Sequence, residues 1–278
     1  MNYKCLFFPE KYWNVNDKRI PILKKYLNSL NIDRNKMLPT EEIISVCIDS
    51  LKTFKLDEQD RVDLKNLILD QNAKILVPCI LEICNQFVGI RGRRVTLISL
   101  GCGDEGLFEK LLNDEILKKL PELDVDWVGV DIADFRGETS FFNNHTFVIV
   151  DNKSEILYKT LVSDEETDII LLGRYSYHHL GLSFEKFIER CEGVSNVILI
   201  EEPTTEELWD ISDYRIMRIA YDVLANTVFS VDWTSEFMKD KTKFKINYIK
   251  TEKLNMNYNL IQFDNVLPET AMISINLK

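Results

Sequence analysis

Five short apolar runs punctuate the middle of this chain, and a glycine, an acid or an amide closes most of them. They are Val95–Leu100 (VTLISL), Asp126–Asp131 (DWVGVD), Thr146–Asp151 (TFVIVD), Asp168–Gly173 (DIILLG) and Asn196–Glu201 (NVILIE). Each is short and rich in Val, Ile, Leu or Phe, the composition of strands buried on both faces. Segments with helical character separate them. Strands alternating with helices predict an α/β fold with a doubly wound, mostly parallel sheet. In such sheets the ligand crevice lies beyond the carboxyl ends of the strands, so Gly101, Asp131, Asp151, Tyr175, His178 and Glu201 are expected near one crevice.

Ahead of the first run the pattern changes. PILKKYLNSLNI, TEEIISVCIDSLKTF and LKNLILDQNAKILVPCILEICNQF place apolar residues at helical intervals. Thr40 followed by Glu41 and Glu42 marks a helix start with acids in its first turn, and Pro78 predicts a kink or a break. Residues 1–90 therefore read as an N-terminal helical cap or lid, and residues 91–278 as the ligand-binding domain. Tyr3, Phe7, Phe8, Tyr12 and Trp13 are candidates for lining a pocket under such a lid, or for simple packing. Beyond the fifth run, Thr205–Asn226 predicts a long helix with an apolar stripe through Trp209, Tyr214, Met217 and Tyr221. Phe244–Lys250, Tyr258–Asp264 and Ala271–Leu277 are further strand candidates.

The chemistry concentrates where the first run stops, in LISLGCGDEGLFEK. Glycine permits a tight or left-handed turn and removes the side chain that would block close approach of a ligand. A helix start after such a turn offers unpaired N–H groups and the positive end of its dipole. An acid closing the next strand, here Asp131, is placed to accept hydrogen bonds from both hydroxyls of a ribose.

With LISLGCGDEG, VGVDIA, FVIVDN, DIILLGRYSYHHL and VILIEEP in this order, the chain resembles the class I S-adenosylmethionine-dependent methyltransferases from about Arg93 onward. The resemblance implies a seven-stranded Rossmann-like methyltransferase fold with S-adenosyl-L-methionine as cofactor, two of the C-terminal candidates forming the antiparallel end of the sheet. It assigns the amino-acid part of the cofactor to Gly101, Cys102 and Gly103. The ribose falls to Asp131 with Ile132, the adenine to Asp151 with Asn152, and Gly173 joins the cofactor site. One departure is Glu105, where the family often has glycine, with Gly106 one place later.

Methyl transfer from a sulfonium is an in-line displacement that needs a held acceptor, exclusion of water and removal of any acceptor proton. His178 and His179 follow the fourth run, and a histidine near its ordinary pKa suits a general base. Adjacent residues point in different directions, so one of the two serves as base at most and the other is structural. Arg174, Tyr175, Tyr177 and Glu201 are candidates for substrate contact. Arg174 suits a carboxylate or phosphate but could equally pair with an acid of the crevice. Glu201 or Glu202 could bind a cationic acceptor or act as base, or form an ion pair. His145, after Asn143-Asn144, reads as an exposed loop residue.

Composition narrows the partners. A net charge of −11, from 34 basic against 45 acidic residues, argues against sequence-independent nucleic-acid binding. No apolar run reaches the roughly 18 residues of a membrane span, and the N-terminus lacks a secretory pattern. Six cysteines without a C-x-x-C pair read as reduced thiols of a cytoplasmic protein, with no metal site. No Asn/Asp-Pro-Pro-aromatic tetrapeptide follows the fourth run. A small-molecule or peptide acceptor, metabolite or natural-product-like and methylated at O or N, fits best. Two alternatives stand beside it. GCGDEG also matches the fingerprint of an NAD-dependent oxidoreductase, although Asp104 and Glu105 would face its pyrophosphate. A non-catalytic scaffold or partner subunit of the same fold is the other. Oligomeric state does not follow from the sequence.

Overall fold

The computed structural model describes residues 4–7, 19–88, 94–102, 107–131, 145–149, 167–174, 176–177, 180, 182–192, 195, 197–205, 212–229, 248–250 and 270–277. Its strands are β1 (Lys4–Phe7), β2 (Arg94–Leu100), β3 (Asp124–Asp131), β4 (His145–Ile149), β5 (Asp168–Arg174), β6 (Val197–Thr205), β7 (Ile249–Lys250) and β8 (Thr270–Asn276). Its helices are α1 (Arg19–Ser29), α2 (Thr40–Ser50), α3 (Glu58–Val88), α4 (Leu107–Lys119), α5 (Phe184–Cys191) and α6 (Ser212–Phe229). The described residues of all five apolar runs lie in strands. The chain divides into two compact units that are not successive in sequence. One gathers Met1–Phe7, Gln71–Glu202 and Ala271–Lys278, the other Phe8–Asp70 and Pro203–Thr270.

The first unit carries the doubly wound sheet, in the order β1-β8-β6-β5-β2-β3-β4. Strands β4, β3, β2, β5 and β6 run parallel. The edge is closed by β1, antiparallel to β8. That edge strand comes from the N-terminal aromatic segment, not from a second C-terminal candidate. Of those candidates, Ala271–Leu277 contains most of β8. The described end of Phe244–Lys250 contains β7, which pairs parallel with the far end of β6, and Tyr258–Asp264 lies outside the described residues.

Parallel strands need crossovers, and two helices show how the sequence builds them. In α5 the Ser183 side chain caps the start by accepting from the Lys186 amide, Glu185 lies in the first turn and Arg190 in the last, all favourable to the helix dipole. Its buried face is Phe184, Phe187, Ile188 and Cys191. In α4 the buried Leu112 and Ile116 sit four residues apart, and Asn113 accepts from the indole of Trp127 on β3 at 3.0 Å. Trp127 is almost wholly buried, so this bond satisfies a donor that would otherwise lose water. The inner strands are buried nearly throughout, with only Arg94 exposed in β2 and Arg174 half-buried in β5.

The second unit has its own core. Ile22, Leu23, Tyr26 and Leu27 of α1, Ile43, Ile44, Cys47 and Ile48 of α2, and Ile216, Ile219, Ala220 and Val223 of α6 are buried together. The N-terminal helices thus share a core with a helix far along the chain. Buried polar groups tie it at chosen points. Tyr26 is fully buried and donates its hydroxyl to the Cys47 carbonyl at 2.6 Å. Arg61 donates to the Thr227 carbonyl at 2.8 Å. Pro78 does not break α3, which runs without interruption over 31 residues. No described helix is long and apolar enough to cross a membrane.

Replacing Tyr26 with Phe keeps the ring but strips the Cys47 carbonyl of this donor. The expected loss is about 1–3 kcal/mol, the cost of a buried group left unsatisfied. Urea denaturation of the two proteins measures it.

Candidate functional site

The site begins with strand register. Leu100 of β2 pairs with Val130 of β3 on one side and Gly173 of β5 on the other, and Gly173 pairs with Ile200 of β6. One residue further, Arg174 pairs with Glu201, and Asp131 with Ile149 of β4. Asp131, Gly101 and Arg174 therefore form a row across the carboxyl ends of β3, β2 and β5, which the register continues to Glu201 within β6. The chain order reverses between β2 and β5, and a ligand crevice opens at such a reversal. Gly101, Asp131 and Glu201 were expected at one crevice, and the register sets their backbones in this row beside Arg174.

The turn after β2 is held from β3. Gly101 has φ 64°, in the left-handed region that a side chain disfavours. Its amide and that of Cys102 both donate to the Val130 carbonyl, at 2.8 and 3.1 Å. The chain thus bends over the neighbouring strand one residue before Asp131. Cys102 is buried, with Sγ over Gly129 of β3 beside His145 and Phe147. His145 accordingly is not an exposed loop residue. It opens β4 half-buried, and burial lowers its pKa. Below the turn, Ser99 donates to Glu109 Oε1 at 2.6 Å. Glu109 is in the first turn of α4 and nearly wholly buried, so the bond ties helix start to strand end. Sequence reasoning missed Glu109; an acid in the first turn after a glycine loop was the available signal.

A second clamp holds the chain beyond β5. Glu202 is fully buried, and its Oε1 accepts from the amides of Ser176 and Tyr177 at 2.8 and 2.7 Å. Bonds from amides to a carboxylate are charge-assisted and correspondingly strong. Of the two acids within β6, Glu202 is thus occupied in fixing the adjacent segment. Tyr177 is engaged within the protein. It is buried, packs on Phe184 and Phe187 at centroid distances of 5.6 and 5.2 Å, and donates its hydroxyl to the Leu182 carbonyl. Burial, then the charges of Glu202 and Glu185, raise its pKa well above the ordinary tyrosine value. Gly173 is needed for space, because a Cβ there would meet Ile200 at 3.0 Å and the Ser176 hydroxyl at 3.2 Å.

Asp131 is buried at the end of β3, and Arg174 is half-buried at the end of β5. The remaining expected site residues, Gly103, Ile132, Asp151, Asn152, Tyr175, His178 and His179, lie outside the described residues. The described part of the site offers an acid at the crevice beside a glycine turn, with a guanidinium one strand further across.

Solved structures share this arrangement of strands. Over 83% of its length the chain is similar to the DszA carbon methyltransferase, with TM-score 0.50 and 12% identity, and it spans 60% of that chain. The chain has the class I methyltransferase fold. The CurJ carbon methyltransferase aligns with 94% of this chain and 79% of its own, at TM-score 0.46 and 11% identity. The plantazolicin methyltransferase BpumL, solved with a desmethyl plantazolicin analogue and S-adenosylhomocysteine, aligns with 85% of this chain and 97% of its own, at TM-score 0.38 and 12% identity. No protein-family model and no curated protein matches by sequence.

Replacing Glu202 with Ala orphans two amides, at about 1–3 kcal/mol for each one left buried without an acceptor. Glu202→Gln, which keeps an acceptor oxygen, is expected to lose less. Amide exchange at Ser176 and Tyr177 should accelerate in the Ala variant, whereas the amides of β2 should not change relative to the global stability.

Proposed function

We propose that this chain is an S-adenosylmethionine-dependent methyltransferase acting on a small-molecule or peptide acceptor at oxygen or nitrogen. The observation that carries the reading is Asp131, buried at the end of β3 beside the left-handed Gly101 turn, at the reversal of strand order. A carboxylate there has two oxygens for the paired hydroxyls of a ribose. The glycine turn leaves room for the cofactor's amino-acid end, with Cys102 and Gly103 continuing it. Ile132 would flank the nucleoside, and Asp151 with Asn152 would receive the adenine. When bound, the cofactor supplies an electrophilic methyl group on sulfur.

The chain's own residues would then orient the acceptor and take its proton. Arg174, on the strand beside the glycine turn, would hold an anionic or carbonyl group, with Tyr175 and Glu201 completing the contact. His178 or His179 would remove the proton. The Glu202 clamp on Ser176 and Tyr177 fixes the two residues that precede His178 in the chain, and such anchoring favours a repeatable base position. The acidic balance of the chain supports an acceptor other than nucleic acid.

A nicotinamide dinucleotide is the competing ligand. Such a site presents turn and helix-start amides to a pyrophosphate, and here the Gly101 and Cys102 amides are engaged by the Val130 carbonyl. Calorimetry separates the two. S-adenosylmethionine or its demethylated product should bind and NAD should not, and Asp131→Ala should cost roughly 1–3 kcal/mol of that affinity. Tight NAD binding without sulfonium binding would overturn the proposal.

With an acceptor in hand, losing the working histidine should lower turnover on the order of a hundred- to ten-thousandfold at saturating substrate. His178→Ala and His179→Ala, compared with cofactor binding monitored, test this. Near-normal turnover in both removes the base role.

A further inference from the structure

Arg215 lies near the start of α6 and is partly buried. Its Nε and Nη2 atoms are shielded from solvent, and among the described residues neither has a hydrogen-bond partner. Together these atoms form the side-on edge of the guanidinium, two parallel N–H donors that match two oxygens of one anion. The same edge is filled elsewhere in this chain, where Arg94 directs Nε and Nη2 at Asp126 Oδ2 from 3.1 and 3.0 Å. Arg94 is exposed and could be served by water. Arg215 has its edge buried and no acid on it, although the chain holds 45 acids against 34 bases.

A second guanidinium lies one turn away. Arg218, fully buried, is three residues on and so lies on the same side of the helix. It donates to the Tyr214 hydroxyl at 3.1 Å and sits 4.8 Å from the centre of the Tyr248 ring. Asp222, two turns from Arg215, accepts from the Tyr248 hydroxyl and faces the positive charge of Arg218. A buried donor pair without an acceptor has given up its hydration for nothing. An anion seated on Arg215 removes that penalty.

We propose that Arg215 is the anion-binding residue of the second unit, receiving a carboxylate or phosphate group side-on at Nε and Nη2. The inference stands on this unit alone and does not rest on methyl transfer. A chain that bound such an anion but no sulfonium cofactor would retain it while ending the methyltransferase reading.

The test titrates the full chain with inorganic phosphate and, separately, with propionate, at ionic strength held constant with chloride. Thermal midpoint and calorimetry are followed for the wild type, Arg215→Lys and Arg215→Met. The wild type should be stabilised by at least one of the two anions, and the stronger response identifies the group the site takes. Both variants should bind that anion at least about tenfold more weakly, since Lys keeps the charge but not the fork. Without anion, the Met variant should be as stable as the wild type or more so, because it removes an unsatisfied buried charge. No response of the wild type, an equal response in the variants, or a Met variant less stable than the wild type would each overturn the proposal.

Discussion

Strand β2 is paired in parallel register along both of its edges, and the geometry of the candidate site follows from that constraint. Because Leu100 is locked to Val130 and to Gly173 at once, the residues one step further cannot slide independently. A one-residue slip would turn every side chain of a strand to the opposite face, and the continuous burial of β2 and β5 makes such a slip costly. Asp131 and Arg174 are therefore held two strands apart, roughly 10 Å at the usual strand spacing. Gly101 lies between them. Side chains on the loops alone could not keep that separation.

Carboxylates do much of the holding around this frame. Glu202 binds two amides of the segment after β5, and Glu109 accepts from Ser99 just below the glycine turn. Both acids are buried, so the low local dielectric strengthens their bonds and makes each one expensive to lose. The turn itself is held differently, by one carbonyl, Val130, that receives the Gly101 and Cys102 amides. Three local devices thus converge on the ends of adjacent strands, and each uses a group that sequence patterning alone leaves unassigned.

The sheet was legible because burial on both faces leaves uninterrupted Val, Ile and Leu runs, and the described residues of all five lie in strands. Its edge was not. β1 is four residues long within an aromatic segment, and its pairing with β8 is a contact between the two ends of the chain that no local pattern encodes. The shared core of α1, α2 and α6 is hidden for the same reason. Helical spacing marks an apolar face without saying which distant helix covers it. Pro78 was read as a kink or a break, and of these the break does not occur, since α3 continues through it. At the site, Gly101 and Asp131 were legible from the strand, turn and acid in succession. The roles of Tyr177 and Glu202 were not, because an aromatic or acidic residue at a strand end reads equally as ligand contact or scaffold. Only burial and partners separate the two.

The account rests on Asp131 facing a ribose across the Gly101 turn. A crystal structure of the chain grown with S-adenosylhomocysteine tests that most directly. The account requires nucleoside density at the carboxyl ends of β2 and β3, with both ribose hydroxyls on the Asp131 carboxylate and the amino-acid end along the turn. Density for the nucleoside elsewhere, with the Asp131 carboxylate engaged only by protein groups, would contradict it.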